Sequence, residues 1–301
     1  MDLKWSPDVL ILGPGGSRGI LLIGALKRFF EEKDFLSNVK IWAGVSIGAA
    51  ISLLLVCGYK IEEIIEISSG ISIIDDVLAI NLDEVTRNLG VMKLKSIEDK
   101  LKHFVTLKFG LIPTLQHLYV LTGLELSVVT FNCNKMRIEF LDRHNTPDLC
   151  CINATILSMS IPILFQPRKL KSDLCIDGAI GNPLPLTHYD INGNKVLGMY
   201  ICSDDDFTNL DNNPINFLYR IIHASMKVLR DMELKYASNN VKTIMLNTSF
   251  KDTTGLTINE DARQQMIETG YHLADSFLKI NSNPGKYDVK LGENEEIPFS
   301  I

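Results

Sequence analysis

The chain has 301 residues, 46% of them hydrophobic and 22% charged, with 36 acidic against 30 basic side chains and a net charge of −6. That profile fits a globular chain long enough to bury a large core, and it excludes the basic face that nucleic-acid binding requires. It also argues against tight electrostatic docking on anionic lipid, so any peripheral membrane contact should rest on apolar surface.

The chain opens Met-Asp-Leu-Lys-Trp-Ser-Pro-Asp. This lacks the basic and then apolar order of a signal peptide, and it lacks the glycine at position 2 that myristoylation needs. Val9 to Leu12 is a short apolar run stopped by Gly13-Pro14-Gly15-Gly16, which predicts a buried strand entering a tight turn. Arg18 to Glu32 suits a helix with Ile20, Leu22, Ile23, Leu26, Phe29 and Phe30 on its apolar side. Val39 to Ala43 reads as a second strand, and Ile47 to Cys57 as a helix apolar all round, hence central. The charge-free stretch Ile41 to Tyr59 has the hydropathy of a membrane span, but a buried strand turning into a buried helix gives the same signal, and that reading is preferred. Strand, helix, strand, helix in this order predicts an α/β fold: three layers, α/β/α, around a mainly parallel sheet.

From Ile61 to Val120 the pattern is helical and mixed, and Ser96-Ile97-Glu98-Asp99 resembles a capping box. Ser69 to Leu82 and Phe104 to Leu121 carry apolar residues suited to a lid or an interfacial patch, although ordinary core helices would look alike. Leu126 to Phe131 and Met136 to Leu141 form a hairpin pattern. A helix over Asn153 to Met159 stops before Pro162, and Leu174 to Ile176 leads into Asp177-Gly178. Lys195 to Ile201 and Val241 to Leu246 are further strands; Asn216 to Ala237 and Glu260 to Ile280 are long amphipathic helices. No repeat or linker divides the chain, so residues 1–280 are expected to form one catalytic domain, with a loosely held polar tail over 281–301. The six cysteines, Cys57, Cys133, Cys150, Cys151, Cys175 and Cys202, show no metal-ligand spacing. Thiols in a reducing, cytoplasmic compartment are expected, with no metal and no cofactor.

Gly44-Val45-Ser46-Ile47-Gly48 matches GxSxG between a strand and a helix. A serine on such a turn is held in a strained backbone conformation, its oxygen projects from the sheet edge, and the flanking glycines allow strand and helix to pack closely. The bland alternative is a turn of small residues. Gly13-Pro14-Gly15-Gly16-Ser17-Arg18-Gly19 also lies between strand and helix. A dinucleotide fingerprint fails because Arg18 stands where the last glycine belongs, and a GxxxxGK phosphate loop fails too. What remains is an oxyanion hole formed by the N–H groups of Gly15, Gly16 and Ser17, or a structural turn. An ordinary hydrolase would use the order Ser, Asp, His, which leaves His188, His223 and His272 as candidates. Only one strand and one helix precede Ser46, too few for that fold. Asp177-Gly178-Ala179, at a strand end before Asn182-Pro183, is better placed to reach Ser46, although Asp-Gly alone signals a turn.

Together these pieces resemble the patatin-like phospholipase family: a glycine-rich loop ending in a basic residue and glycine (Gly15 to Gly19), then Gly44-Val45-Ser46-Ile47-Gly48, then Asp177-Gly178-Ala179. Ala154 to Pro162, Phe165-Gln166-Pro167 and Asn182-Pro183 are similar to the family's connecting segments. Pro14 departs from the family's glycine run and has no N–H to donate, so donation would fall to Gly15 and Gly16. The resemblance implies a lipid acyl hydrolase of phospholipase A or lysophospholipase type. Ser46 would be nucleophile and Asp177 base, Gly15, Gly16 and Ser17 the oxyanion hole, and Arg18, Gly19, Gly44, Gly48 and Gly178 supporting residues. The substrate expected is a phospholipid or another lipid ester. A Ser-Asp-His esterase and a non-catalytic lipid-binding protein on the same fold are the alternatives.

Overall fold

The computed structural model describes residues 5–69, 87–202, 214–247 and 259–282. Strand β1 (Val9–Leu12) leads through a 3-10 turn at Gly16–Gly19 into α1 (Ile20–Glu31). Then come β2 (Ile41–Val45), α2 (Ile47–Val56), α3 (Ile61–Ser69), β3 (Gly90–Met92), α4 (Lys95–Phe109) and α5 (Leu115–Thr122). The hairpin β4 (Glu125–Asn132) and β5 (Arg137–Leu141) is followed by α6 (Cys151–Ser158), β6 (Ile163–Phe165), β7 (Arg168–Leu170) and β8 (Asp173–Asp177). Short α7 (Leu186–Tyr189), β9 (Val196–Cys202), α8 (Pro214–Tyr236), β10 (Val241–Asn247) and α9 (Glu260–Ser282) complete the described chain.

The main sheet runs β10-β9-β1-β2-β4-β8-β7, with β5 on the other edge of β4. β10, β9, β1, β2 and β4 are mutually parallel, β5 and β8 pair antiparallel with β4, and β7 pairs antiparallel with β8. Period-2 alternation sorts β1 between two cores. Leu10 and Leu12 face α1, α2, α4, α5, α6 and α9. Val9 and Ile11 face α7 and the end of α8. Helices thus cover both faces of the sheet, as the pattern of the first fifty residues implied. The stretch Ile41 to Tyr59 is β2 followed by α2, whose residues Gly48 to Val56 are all buried. Among the described residues no helix is long and apolar enough to cross a membrane.

Three expectations change. α4 starts at Lys95 with Leu94 at its N-cap and no side-chain cap, so Ser96 to Asp99 is not a capping box. Glu98 is drawn instead into ion pairs with Lys102 (2.5 Å) and Arg168. α9 continues past Ile280 to Ser282, where Lys242 Nζ donates to Asn281 Oδ1 (2.6 Å); the tail beyond lies outside the described residues. Phe104 to Leu121 is the end of α4 plus α5, with Leu107, Val120 and Leu121 exposed and Leu115 and Leu118 buried. α5 feeds directly into the N-terminal end of β4, so its exposed residues sit at the edge of the sheet opposite Ser46 and cannot form a lid there. The other suggested lid segment, Ser69 to Leu82, falls outside the described residues after Ser69.

Candidate active site

The register of β4 brings Ser46 and Asp177 together. β2 pairs with β4 from Ile41↔Glu125 to Val45↔Val129 and stops there. β5 occupies the opposite edge of β4, so β8 must take the edge that β2 vacates. It does so at the next residue, Thr130↔Asp177, running head-on toward β2. Ser46, one step beyond Val45, therefore arrives level with Asp177. β1 is parallel to β2 on its other side with Leu12↔Gly44 as partners, so the Gly13 to Gly19 loop leaves the sheet beside the same point.

Ser46 has φ 57° and ψ −125°, a strained conformation for a residue with a side chain. The fold holds it by close packing. A Cβ at Gly44 would lie 2.4 Å from Ala49 Cα, and one at Gly48 would lie 2.1 Å from Leu12 O. Ser46 is 4% exposed; its N–H donates to Ser158 Oγ (2.9 Å), and its carbonyl accepts from Ala49 N (2.9 Å). The strain and the close packing are what a nucleophile elbow requires.

Asp177, 3% exposed, ends β8 and caps a short 3-10 turn. Its Oδ1 accepts from Ala179 N (2.9 Å), and its own N–H donates to Ser160 O (2.9 Å). Oδ2 is buried without a hydrogen-bond partner. Burial pushes the carboxyl pKa up to about 7, against the pull of the Ser46 hydroxyl and the Ala179 N–H. The Ser46 hydroxyl thus stands near enough to act on the carboxylate. Gly178 is fixed by proximity, since a Cβ there would meet Val129 O at 2.1 Å.

The glycine-rich loop lies at the same strand ends. Gly15 is extended (φ −176°) beside Ile201, Gly16 takes φ 56°, and Gly19 packs against Ile47 at the start of α2. Ser17 and Arg18 are buried in the 3-10 turn, so Arg18 is not a surface charge. The leading N–H groups of such a turn have no acceptor within it, which is the property an oxyanion hole uses.

Three supporting groups were not evident from sequence. Ser158 and Ser160, at the end of α6, hold the backbone N–H groups of Ser46 and Asp177 respectively. Thr130 is fully buried; its hydroxyl donates to Ile176 O (2.8 Å) with Leu157 O at 3.3 Å, tying β8 to α6. Glu233 of α8 accepts from Asn182 Nδ2 and Thr187 N (both 2.7 Å), fixing the chain beyond Asp177. A hydroxyl inside an apolar helix end was the available signal for Ser158; Ser160 acts through its backbone carbonyl, which no residue type encodes.

The histidines lie elsewhere. His188 stacks on Phe140 (3.5 Å between centroids) and lines a cavity of about 470 Å³ with Lys40, Glu125, Arg143 and His144, at the N-terminal ends of the strands. Burial lowers its pKa. His223 and His272 are exposed on α8 and α9. Among the described residues no group of His, Cys, Asp and Glu is arranged to hold a metal ion.

Comparison with known proteins gives the family of the chain. The family model for patatin-like phospholipases matches residues 10–189. The probable lipid hydrolase 463L of Invertebrate iridescent virus 6 is 34% identical over 187 residues, 59% of this chain and 61% of that protein. The chain thus spans about three-fifths of that relative's length. The uncharacterized protein R571 of Acanthamoeba polyphaga mimivirus is 25% identical over 269 residues, 85% of this chain and 88% of that one. Among solved structures, VipD from Legionella pneumophila superposes with a TM-score of 0.59 at 16% identity, over 92% of this chain and 67% of its own, a likeness of fold. With the glycine loop, the serine elbow and the Asp-Gly turn at one sheet edge, and with a family match across most of the sheet, this chain belongs to the patatin-like phospholipase family.

Proposed function

We propose that the protein hydrolyses carboxylic esters of lipids, in the manner of a phospholipase A or lysophospholipase, through a dyad of Ser46 and Asp177. One observation carries the dyad: the buried Asp177 carboxyl stands beside the strained Ser46 with Oδ2 unpartnered and a pKa near 7. A carboxylate of ordinary pKa is a weak base at neutral pH, and the raised value brings it into the useful range. Family membership supports a lipid ester as the substrate class.

In this mechanism Ser46 Oγ attacks the ester carbonyl carbon while Asp177 Oδ2 takes its proton. The N–H groups of Gly15, Gly16 and Ser17 face the developing oxyanion; such donors contribute about 3 kcal/mol each. Arg18, buried in the same turn, positions the loop. Collapse breaks the carbonyl carbon–alkoxy oxygen bond, and Asp177 returns the proton to the leaving alcohol or lysolipid. Water then attacks the acyl-serine, giving its proton to Asp177, and the proton passes back to Ser46 Oγ as the fatty acid leaves. No step calls for a metal.

The test is labelling with a fluorophosphonate probe, followed by hydrolysis of a lipid panel. Wild type is expected to label and Ser46→Ala not to label. Asp177→Asn is expected to lose about a thousandfold or more in kcat/KM while remaining folded. Labelling of Ser46→Ala at the wild-type level, or near-normal turnover in Asp177→Asn, would sink the dyad. An inert but folded wild type that still binds lipid would favour a binding role.

A further inference from the structure

Strand β9 runs farther than its neighbour β1. The two pair from Val9↔Val196 to Leu12↔Met199, and there β1 ends. Gly13 adds one more link, its N–H donating to Met199 O (2.9 Å), before the chain turns away at Pro14. β9 continues through Tyr200, Ile201 and Cys202, still held on its other side by Met245, Leu246 and Asn247 of β10. These three residues form a ledge beside the glycine-rich loop. Side chains alternate along a strand, so Leu197, Met199 and Ile201 share one face. Leu197 and Met199 belong to the main core with α1 and α2, and the half-buried Ile201 packs against it.

Ile201 touches the loop at Gly15. A Cβ there would lie 2.3 Å from Ile201 Cδ1 and 3.5 Å from Ile201 Cγ1, so the methyl group fills the space a side chain at that position would need. Leu246, the partner of Ile201 in β10, is fully buried, which anchors the ledge. Branching at Cβ leaves isoleucine few χ1 choices, so the methyl group is delivered to one place. The rest of the loop has other ties. Its root is held by the Gly13–Met199 hydrogen bond, and at its far end a Cβ on Gly19 would lie 2.7 Å from Ile47 Cγ1. Gly15 O accepts from Arg18 N (3.0 Å), which sets the peptide that carries the Gly16 N–H. The Pro14–Gly15 peptide differs: among the described residues neither Pro14 O nor Gly15 N makes a hydrogen bond. What fixes that peptide is the contact between Gly15 and Ile201.

We propose that Ile201 is a positioning residue, whose Cδ1 holds Gly15 so that the Pro14–Gly15 peptide aims its N–H at the oxyanion formed on attack by Ser46. The inference rests on the ester-hydrolase reading and deepens it. It extends the working parts of the site beyond residue 189, where the family match ends, to a strand that none of the three motifs contains. Ile201 acts through Gly15 alone, so the proton transfer between Ser46 and Asp177 is untouched. A loosened donor weakens the transition state and not the bound ester, because charge develops on the carbonyl oxygen only as Ser46 attacks.

The experiment measures turnover of a soluble short-chain ester and the rate of fluorophosphonate labelling, in the full chain, for wild type, Ile201→Val, Ile201→Ala and Leu197→Val. Ile201→Val keeps the branched Cβ and removes only Cδ1. Its kcat and labelling rate are expected to fall roughly three- to tenfold, with KM within about twofold of wild type, and Ile201→Ala to lose about tenfold more. The pH midpoint of kcat/KM should stay at the wild-type value, since the base is unchanged. Leu197→Val is the packing control: it removes the same volume from the same face of β9, at a fully buried position. It is expected to lower the melting temperature at least as much and to leave both rates unchanged. The phosphorus NMR resonance of phosphonylated Ser46 reads the hole directly, because the P=O oxygen takes the place of the oxyanion. It should move in both Ile201 variants and not in Leu197→Val. A labelled wild type with equal rates and an unmoved resonance in Ile201→Val overturns the proposal alone. So does a loss of kcat that Leu197→Val shares or that comes with a displaced pH midpoint, since either assigns Ile201 to general packing. Should Ile201→Ala fail to fold, Ile201→Val decides. A folded wild type that neither labels nor turns over the ester rejects the hydrolase reading, and the proposal with it.

Discussion

At Asp177 one buried carboxyl would link the proposed catalysis to stability through pH. With a pKa near 7 it is the ionised form that can accept the Ser46 proton, so kcat/KM is expected to rise with pH and level off above about 7. The stability consequence has the opposite sign. Below an unfolded value of about 3.9 the group is neutral in both states; between there and about 7 the unfolded chain releases its proton while the folded chain keeps it. Folding stability therefore falls across that window, by on the order of 4 kcal/mol at most, and stays low above it. Asp177→Asn is expected to abolish this loss. Urea unfolding of both proteins at pH 4 and pH 8 checks it, and equal pH dependence in the two would show that the carboxyl is not held neutral. Ser46 and Asp177 were legible because each carries a local constraint: glycines two residues to either side of one, and a glycine turn directly after the other. Thr130 was not legible, since its role depends on contacts to Leu157 and Ile176 that no local pattern encodes.

At the scale of elements, the end of α6 and the residues just after it bracket the backbones of Ser46 and Asp177. Ser158→Ala removes the acceptor of the Ser46 N–H, and a buried unsatisfied donor costs about 1–3 kcal/mol. The expected result is a lower melting temperature and a kcat reduced more than KM is raised, with partial rescue in Ser158→Thr, which keeps the hydroxyl. An unchanged kcat would mean that packing at Gly44 and Gly48 suffices to hold the elbow. Elements with several periods of hydrophobic pattern, such as α1 and the hairpin β4–β5, were readable to within a few residues. The three-residue strands β3, β6 and β7 are too short to show any period. The false capping box has a similar cause: Ser96 and Glu98 have the right spacing, but Arg168, seventy residues away, takes the glutamate. The outward stripe of α8 is not legible in the sequence, because the pattern gives the two faces of the helix and not which one the fold covers.

At the scale of the molecule, the sheet is closed from both ends of the chain. The family match ends at residue 189, yet β9 and β10 extend the sheet beyond β1, and α9 returns to pack on α1. Phe29 and Phe277 meet edge to face (5.8 Å), and Arg28 Nε donates to Asp275 Oδ1 (2.8 Å). Removing these C-terminal elements would leave β9 as an unpaired edge and uncover Leu21, Leu26 and Phe29 of α1, an apolar loss far larger than the net stability of a typical domain. A chain cut after residue 282 is therefore expected to unfold in one transition and to label at Ser46 like the full protein. A chain cut after residue 240 is expected to lose both cooperative unfolding and labelling. If the longer cut also failed to label, residues 283–301 would belong to the fold and the expectation of a loose tail would fall. If the shorter one labelled normally, β1, β2, β4 and β8 with their helices would form a self-sufficient unit, and the C-terminal elements would serve something other than the stability of the dyad.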